Sequence, residues 1–204
     1  MTTPITRIAI IGAGVIGASW ATAFLARGMD VVASDPAPGA EEALRKTVDA
    51  QWPAVQQIGL LPGASTERLR FAASPEDAVV GAGFVQENGP ERLDIKRDLF
   101  RRLDEAAPPD APLATSTSTI TISEFQHACT RHPERVVLGH PFDPPHLIPL
   151  VEVGGGNRPR WTRSSERWTS IALWASTRSI CATRSWAMSP TACRRRCGRK
   201  RSTS

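Results

Sequence analysis

The chain has 204 residues, which is enough for one domain of good size or for one domain and a fragment. Hydrophobic residues make up 41% of it and charged residues 22%, a composition typical of soluble globular proteins. No apolar run approaches the roughly 20 residues that a membrane helix needs. The opening M-T-T-P-I-T-R-I lacks the pattern of a signal peptide. We therefore expect a cytoplasmic protein that does not associate with a membrane.

Charge is distributed unevenly along the chain. Residues 1–156 contain 13 Lys and Arg against 19 Asp and Glu, whereas residues 157–204 contain 12 against one. The second range also holds four of the six tryptophans and three of the four cysteines. No paired C-x-x-C spacing occurs, so we predict neither a metal site nor a disulfide framework. The composition divides the chain into a domain at 1–156 and a basic tail at 157–204.

A glycine-rich turn lies between an apolar strand and a helix near the N-terminus. Arg7–Ile11 is a short β-branched run typical of a strand buried on both faces, and G-A-G-V-I-G follows at 12–17. We predict a helix over Val15–Arg27 and a second strand at 30–34 that leads into Asp35. Strand, turn, helix, strand and acidic residue within about 30 residues are the setting of a dinucleotide-binding turn.

The glycines of this turn have distinct physical roles. Gly12 permits the tight turn, Gly14 lets the backbone approach a pyrophosphate, and Gly17 lets helix and strand pack closely. The start of the helix offers unpaired N–H groups to the phosphates. Asp35 is expected to bind the ribose hydroxyls, and the absence of a following arginine favours NAD over NADP. The predicted cofactor-binding residues of the turn are Gly12, Ala13, Gly14, Val15, Ile16 and Gly17.

Strands and helices alternate through the rest of the first 156 residues. We predict helices at 40–57, at 75–80, from Pro90 to Ala106 and at 122–129. Pro53 is a candidate break in the first of them. The predicted strands are 69–72, 84–87, 113–115 and 136–138. This alternation predicts an α/β fold with a doubly wound, mostly parallel sheet, a Rossmann domain. Ligands bind at the carboxyl ends of the strands in such a sheet. Ser118, His140 and the glycine turn all lie at such ends.

The segment Gly139–Val153, G-H-P-F-D-P-P-H-L-I-P-L-V-E-V, contains two groups suited to proton transfer. Its prolines exclude a regular helix, so we expect an extended connection between a strand that ends near Gly139 and another that starts near Leu150. His140 could then act as a base and Glu152 as the carboxylate that orients it. Taken alone, the pattern is better explained by a solvated loop histidine and a surface glutamate, and the rest of the chain reverses that preference.

These motifs, together with P-E-R-L-D-I-K at 90–96 and S-T-S-T-I at 116–120, resemble the 3-hydroxyacyl-CoA dehydrogenase superfamily. The resemblance is in order and correctly spaced over residues 5–156. It implies oxidation of a 3-hydroxyl to a ketone with NAD as the cofactor. It also implies a helical C-terminal domain, through which members of the family form homodimers, and that domain is missing from the pattern here.

The resemblance assigns roles to individual residues. It implies that His140 is the general base, that Glu152 holds its ring and that Ser118 binds the reacting oxygen. Glu91 and Lys96 match positions near the nicotinamide and its ribose. Taken one by one, Ser118 is explained by a polar strand end and Lys96 by a solvated helix lysine. The joint spacing favours the functional roles of Ser118, His140 and Glu152, and it favours that of Lys96 less.

Three stretches resemble the branch of the family that oxidises L-carnitine: 35–41, 62–71 and 86–93. Members that use acyl-CoA have a hydroxyl and a lysine where this chain has Ala43 and Ala50, which removes a charge-assisted contact to CoA. We predict a small-molecule substrate, L-carnitine, with 3-hydroxybutyryl-CoA as the alternative. An inactive NAD-binding fragment is a further alternative.

Two features of the binding site concern charge. The quaternary ammonium of carnitine calls for aromatic faces or carboxylates, and Trp20 and Trp52 are candidates, although a helix tryptophan is more often part of the core. The family usually has asparagine where this chain has Asp143, which we also place among the cofactor-binding residues. An anion near the nicotinamide amide predicts weakened NAD binding.

The resemblance stops after Gly156. The tail has no apolar periodicity, and codons suitable for Arg184–Ser204, read two bases later, spell a string with the G-H-x-x-N-R-L pattern of the family. We therefore predict a frameshift near residues 154–160 and a poorly ordered tail. A basic nucleic-acid-binding extension around R-R-R-C-G-R-K-R at 194–201 is the weaker alternative, because charge runs are usually solvated, and we expect no nucleic-acid function.

Overall fold

The computed structural model describes residues 5–148, 150–156 and 179–182. The strands are β1 (Arg7–Ile11), β2 (Asp30–Ser34), β3 (Leu69–Phe71), β4 (Phe84–Glu87), β5 (Leu113–Thr115), β6 (Val136–Pro141), β7 (Leu150–Gly155) and β8 (Ser179–Ala182). The helices are α1 (Val15–Leu25), α2 (Ala40–Ile58), α3 (Pro75–Val79), α4 (Leu93–Ala106) and α5 (Ile122–Phe125). Short 3₁₀ turns occur at Thr66–Arg68, Gln126–Ala128 and Pro133–Arg135.

The strands form a single sheet in the order β3-β2-β1-β4-β5-β6-β7-β8. All neighbouring strands are parallel except β6 and β7, which pair antiparallel. The chain winds outward from β1 in one direction and from β4 in the other, so the strand order reverses between them, where α/β sheets bind ligands. The predicted doubly wound, mostly parallel sheet is therefore confirmed.

Two hydrophobic clusters cover the opposite faces of this sheet. Ile8 and Ile10 of β1 face the cluster that includes Trp20 and Phe24 of α1 and Leu44 of α2. Ala9 and Ile11 face the other cluster, which includes residues of α3, α4 and α5. Successive side chains of a strand point to opposite faces, so a strand covered on both sides is apolar throughout. Helices on both faces hold the carboxyl ends of the strands in fixed positions.

Several element boundaries differ from the predicted ones. α2 continues through Pro53, whose ring lies on an exposed part of the helix, so that solvent can bond the freed carbonyl group. α4 begins at Leu93 rather than at Pro90, because the backbone of Arg92 is extended (φ −132°, ψ 123°) and Arg92 is the N-cap residue. The helix predicted at 122–129 is α-helical only to Phe125 and then tightens into a 3₁₀ turn.

The hairpin of β6 and β7 is longer than expected. β6 extends to Pro141, so His140 lies inside a strand and not in the connection after it. β8, four residues of the predicted basic tail, pairs parallel with β7 at the edge of the sheet. The other residues of that tail, and the predicted disorder and frameshift, lie outside the described residues. None of the described helices is long and apolar enough to cross a membrane.

Candidate functional site

The glycine turn after β1 is determined by close backbone packing at two positions. Gly12 has φ +92°, and a Cβ atom there would lie 2.8 Å from the carbonyl carbon and oxygen of Asn88. A Cβ atom on Gly17 would lie 1.9 Å from the carbonyl oxygen of Gly12. A Cβ atom on Gly14 would have no protein atom within 4 Å, so the open space at Gly14 is available to a ligand.

The first turn of α1 presents its backbone to this open space. Gly14 is the N-cap residue and provides no side-chain cap. The first helical hydrogen bond runs from Ala18 N to Gly14 O, which places the amide groups of Val15, Ile16 and Gly17 before it. Unpaired amide groups and the positive end of the helix dipole bind phosphate groups at such a terminus.

Asp35 lies beside this turn at the end of β2. Its Oδ2 accepts a hydrogen bond from Ala13 N at 2.7 Å, and its Oδ1 accepts one from Ala37 N at 2.9 Å. The carboxylate therefore holds the glycine turn and the chain after β2 together. A carboxylate has about four lone-pair sites, so acceptors remain for the ribose hydroxyls.

A cleft of about 1010 Å³ opens at the reversal of strand order between β1 and β4. Its lining includes Gly12, Gly14, Asp35, Asn88 and Pro90. The predicted catalytic residues are not part of this lining. The cleft therefore joins the glycine turn to the end of β4, and the predicted proton-transfer groups lie outside it.

A buried ion pair supports the end of β4. Lys96 Nζ lies 2.9 Å from both carboxylate oxygens of Glu87, and each side chain is only 1% exposed. Glu87 also accepts hydrogen bonds from Gly89 N at 2.7 Å and from Thr115 Oγ1 at 2.5 Å. The pair links α4, β5 and the turn after β4. The predicted contact of Lys96 with the cofactor stays a prediction.

Glu91 organises the loop that contains Ser118. Its Oε1 accepts hydrogen bonds from Thr117 Oγ1 at 2.6 Å, from both N and Oγ1 of Thr119 at 2.7 and 2.9 Å, and from the amides of Ser118 and Ile120 at 3.0 and 3.1 Å. Burial acts to raise the pKa of Glu91, but the hydrogen bonds from Thr117, Thr119 and Ile120 outweigh it and lower the pKa from 4.5 to about 2. An ionised Glu91 thus sets the backbone position of Ser118.

Ser118, His140 and Glu152 form a chain of contacts. Ser118 Oγ lies 3.2 Å from His140 Nε2. His140 Nδ1 lies 3.3 Å from Glu152 Oε2, although the two groups are not aligned as a hydrogen bond. The side chains of His140 and Glu152 are 32% and 29% exposed, so the imidazole is accessible from solvent on one side.

A polar network that the sequence did not indicate lies next to these residues. Gln86, fully buried in β4, donates from Nε2 to Ser116 Oγ at 2.8 Å and to the carbonyl oxygen of Gly139 at 3.1 Å. Ser116 Oγ donates to Asn88 Oδ1 at 2.8 Å. The network connects the end of β4 to the residue that precedes His140. A glutamine directly after the apolar Phe84 and Val85 was the available sequence signal.

Ser19 and His146 are a second pair absent from the sequence predictions. His146 Nδ1 lies 2.6 Å from Ser19 Oγ, and the His146 amide donates to the same oxygen at 3.2 Å. Asp143, in the same connection between β6 and β7, is exposed. The second histidine of the proline-rich segment was the only sequence signal for this pair.

The two candidate tryptophans pack into the core. Trp20 is 4% exposed and stacks on Phe24 with ring centroids 5.3 Å apart. Trp52 is partly buried against the same hydrophobic cluster. Packing accounts for the rings of both side chains, while the buried Nε1 atom of Trp20 has no hydrogen-bond partner among the described residues.

Comparisons with known proteins agree with this geometry. The family described as 3-hydroxyacyl-CoA dehydrogenase, NAD binding domain, matches residues 7–162. An L-carnitine dehydrogenase of Pseudomonas putida is 54% identical over 156 residues, which cover 76% of this chain and 48% of that protein. One of Streptomyces coelicolor is 53% identical over 160 residues, which cover 78% and 50%. The chain thus spans about half the length of these curated relatives.

A solved structure gives the same result for the fold. The 3-hydroxybutyryl-CoA dehydrogenase of Escherichia coli superposes with a TM-score of 0.76 at 28% identity, over 88% of this chain and 39% of that one. The residues of the turn fit NAD, since Gly14 leaves space, α1 presents amide groups and Asp35 retains acceptors. The chain therefore belongs to the 3-hydroxyacyl-CoA dehydrogenase family through its NAD-binding domain, and its cofactor is NAD.

Proposed function

We propose that this chain provides the NAD-binding half of a dehydrogenase that oxidises the 3-hydroxyl group of L-carnitine to the 3-ketone. The observation that supports this most directly is the contact chain of Ser118, His140 and Glu152 at the end of the sheet that also forms the NAD site. A base within hydrogen-bond reach of a hydroxyl group is what alcohol oxidation requires.

In the proposed reaction His140 removes the proton of the substrate hydroxyl. The Nε2 atom of His140 faces Ser118 Oγ at 3.2 Å, so an oxygen bound beside Ser118 would also lie within reach of the imidazole. Ser118 would donate to that oxygen and hold it, while Glu91 keeps the Ser118 backbone in place. The proton on the oxygen passes to Nε2, which must be unprotonated at the start.

Glu152 orients the imidazole and stabilises the cation that forms on it. Its Oε2 lies 3.3 Å from His140 Nδ1, so the carboxylate favours a proton on Nδ1 and leaves Nε2 free to accept. Bound NAD supplies the acceptor for the hydride that leaves the carbon carrying the hydroxyl group. The products are a ketone, NADH and one proton, which remains on His140 until solvent removes it.

The substrate class rests on relatives and on α2. The two curated relatives above are L-carnitine dehydrogenases. Ala43 and Ala50, where acyl-CoA members have a hydroxyl and a lysine, are exposed on α2 and offer no charge to a CoA phosphate. The solved structure of a 3-hydroxybutyryl-CoA dehydrogenase supports the alternative substrate through its fold.

An NADH-formation assay with the purified chain tests the proposal. We expect absorbance at the NADH wavelength to rise with L-carnitine and not with 3-hydroxybutyryl-CoA, and to be lost in His140→Gln. A rise with the CoA ester alone would replace the carnitine assignment.

An NAD titration monitored by fluorescence or calorimetry completes the test. NAD binding without turnover of either substrate would identify the chain as an inactive NAD-binding fragment, as its length relative to the curated relatives allows. Adding a separately expressed C-terminal half of a relative would then show whether the part of the relatives that this chain does not span supports turnover. Continued inactivity of the combined halves would contradict the proposed catalytic role.

A further inference from the structure

We propose that Ser19 and His146 form an anchor that fastens the connection between β6 and β7 to the NAD-binding helix α1. In this role His146 is a positioning residue for His140, which lies on the same hairpin. Two bonds support the anchor: His146 Nδ1 to Ser19 Oγ at 2.6 Å, and His146 N to the same oxygen at 3.2 Å. The two residues are 127 positions apart in the chain.

The connection at 142–148 has few other polar contacts with the domain. The amide of Phe142 bonds Leu150 O, and the amides of Leu147 and Ile148 bond Pro144 O, so these bonds stay within the hairpin. Among the described residues, His146 alone joins the connection by hydrogen bonds to an element outside the hairpin. Phe142, Leu147 and Ile148 are between 38% and 42% exposed, so apolar packing holds these three side chains only partly.

Two hydrogen bonds meet at the hydroxyl group of Ser19. Its Oγ accepts from the His146 amide, and a second bond joins Oγ to Nδ1 with a direction set by the tautomer of His146. Burial lowers the pKa of His146, and the charge of Asp143 opposes this shift. Ser19 is fully buried, so loss of the imidazole would leave its hydroxyl group without this partner.

The anchor connects the two halves of the site. Ser19 is on the helix whose first turn faces the phosphates, and His146 is on the hairpin that contains His140 and Glu152. Ordering of α1 by NAD would therefore also order the hairpin, and the reverse must hold by linkage. The anchor itself rests on the described contacts, whereas its effect on His140 rests on the proposed function.

Hydrogen–deuterium exchange of the amides at 142–148, with NAD titration of the same samples, tests this proposal. The variants are Ser19→Ala and His146→Leu, which remove the bond, and His146→Asn, whose amide oxygen can accept from Ser19. His132→Leu is the matched control, because His132 Nδ1 contacts only the surface carboxylate of Glu134, at 3.4 Å.

We expect at least about tenfold faster exchange at 142–148 in Ser19→Ala and His146→Leu, and an NAD affinity lower by about fivefold or more. His146→Asn should recover most of the exchange protection and most of the NAD affinity, and His132→Leu should match wild type in both measurements.

Unchanged exchange at 142–148 in Ser19→Ala, at wild-type melting temperature, would overturn the anchor. Faster exchange with unchanged NAD affinity would overturn the coupling. Ser19→Ala removes a single oxygen, so it keeps the test valid if His146→Leu does not fold. Failure of carnitine turnover would alter none of these readouts.

Discussion

His140 and Glu152 are directly paired residues of the antiparallel strands β6 and β7, and their side chains approach to 3.3 Å. The pairing places the base and its carboxylate on the same face of the sheet, because directly opposite side chains share a face. A shift of one residue in register would move Glu152 to the other face. The hairpin register therefore determines whether the proposed catalytic pair exists.

Replacing Glu152 by Gln tests the orienting role of the carboxylate. We expect kcat to fall while KM changes little, and we expect a smaller loss than in His140→Gln, where removal of a general base costs about 10²- to 10⁴-fold. Steady-state NADH formation measures both constants. Glu134→Gln provides the matched control, because it removes a carboxylate 3.4 Å from a different histidine at the surface. Wild-type kcat in Glu152→Gln would contradict the role.

The glycine turn gives two substitutions with opposite expected effects. Gly17→Ala should lower the free energy of unfolding by roughly 1–3 kcal/mol, because the added methyl group would overlap the carbonyl oxygen of Gly12. Gly14→Ala should unfold like wild type, since the methyl group meets no protein atom. It should nevertheless lower NAD affinity at least about tenfold, because the pyrophosphate approaches the backbone at this glycine.

Urea unfolding and NAD titration separate these two effects. Gly154→Ala is the control, because its methyl group would make an ordinary contact of 3.5 Å with Leu138. Retained NAD affinity in Gly14→Ala would show that the open space at Gly14 is not the phosphate site.

Glu91 makes stability depend on pH in the acid range. Its folded-state pKa of about 2 lies below the ordinary 4.5, so its stabilising contribution is complete above pH 4.5 and is lost as pH falls through about 2. The difference in unfolding free energy between wild type and Glu91→Gln should therefore shrink as pH falls through this window. Urea unfolding at several pH values measures it, with Glu105→Gln at the surface as control. A constant difference across the window would contradict the hydrogen-bonded carboxylate.

The buried pair of Glu87 and Lys96 predicts a large effect of removing one partner. Lys96→Met should lower the free energy of unfolding by about 3–5 kcal/mol, because Glu87 is left charged and buried. The double variant with Glu87→Gln should recover part of this loss, and Lys46→Met on the exposed side of α2 should have little effect. Denaturant unfolding measures all three. If Lys96→Met lowers the free energy of unfolding no more than Lys46→Met does, the ion pair does not stabilise the fold.

NAD titration of the folded Lys96 variants tests the predicted cofactor contact separately. If Lys96 touches the cofactor, NAD affinity should stay low in the double variant even where stability is recovered. If NAD affinity and the free energy of unfolding recover together in the double variant, Lys96 stabilises the site and does not contact the cofactor.

The resemblance to the family implies an asparagine at the position of Asp143. We predict that Asp143→Asn binds NAD about fivefold more tightly, the equivalent of one hydrogen bond of about 1 kcal/mol, because an amide can pair with the nicotinamide amide without bringing an anion near it. Calorimetric titration of both proteins measures the difference, with Asp110→Asn as a remote control. Equal NAD affinity in wild type and Asp143→Asn would contradict this prediction.

Local sequence patterns determined most of the architecture. Apolar β-branched runs, the glycine spacing at 12–17 and Asp35 at the end of β2 predicted the strands, the turn and the cofactor, because each depends on residues close together in the chain. The strand bounds of β1, β2, β4 and β5 agree with the prediction for the same reason. Element ends were predicted less well, as at the start of α4, which follows the extended Arg92 and not Pro90.

The family resemblance implied the grouping of Ser118, His140 and Glu152, and tertiary structure decided which of the other polar side chains meet. Glu91 and Ser118 are 27 residues apart and Ser19 and His146 are 127 apart, so no local periodicity relates them. The burial of Lys96 against Glu87, and the placement of His140 inside β6, likewise depend on the packing of α4 and on the register of the hairpin. The sequence by itself determined the type of fold and its cofactor, because these follow from local periodicity and backbone freedom. The positions of the groups proposed for proton transfer follow from contacts that exist only in the folded sheet.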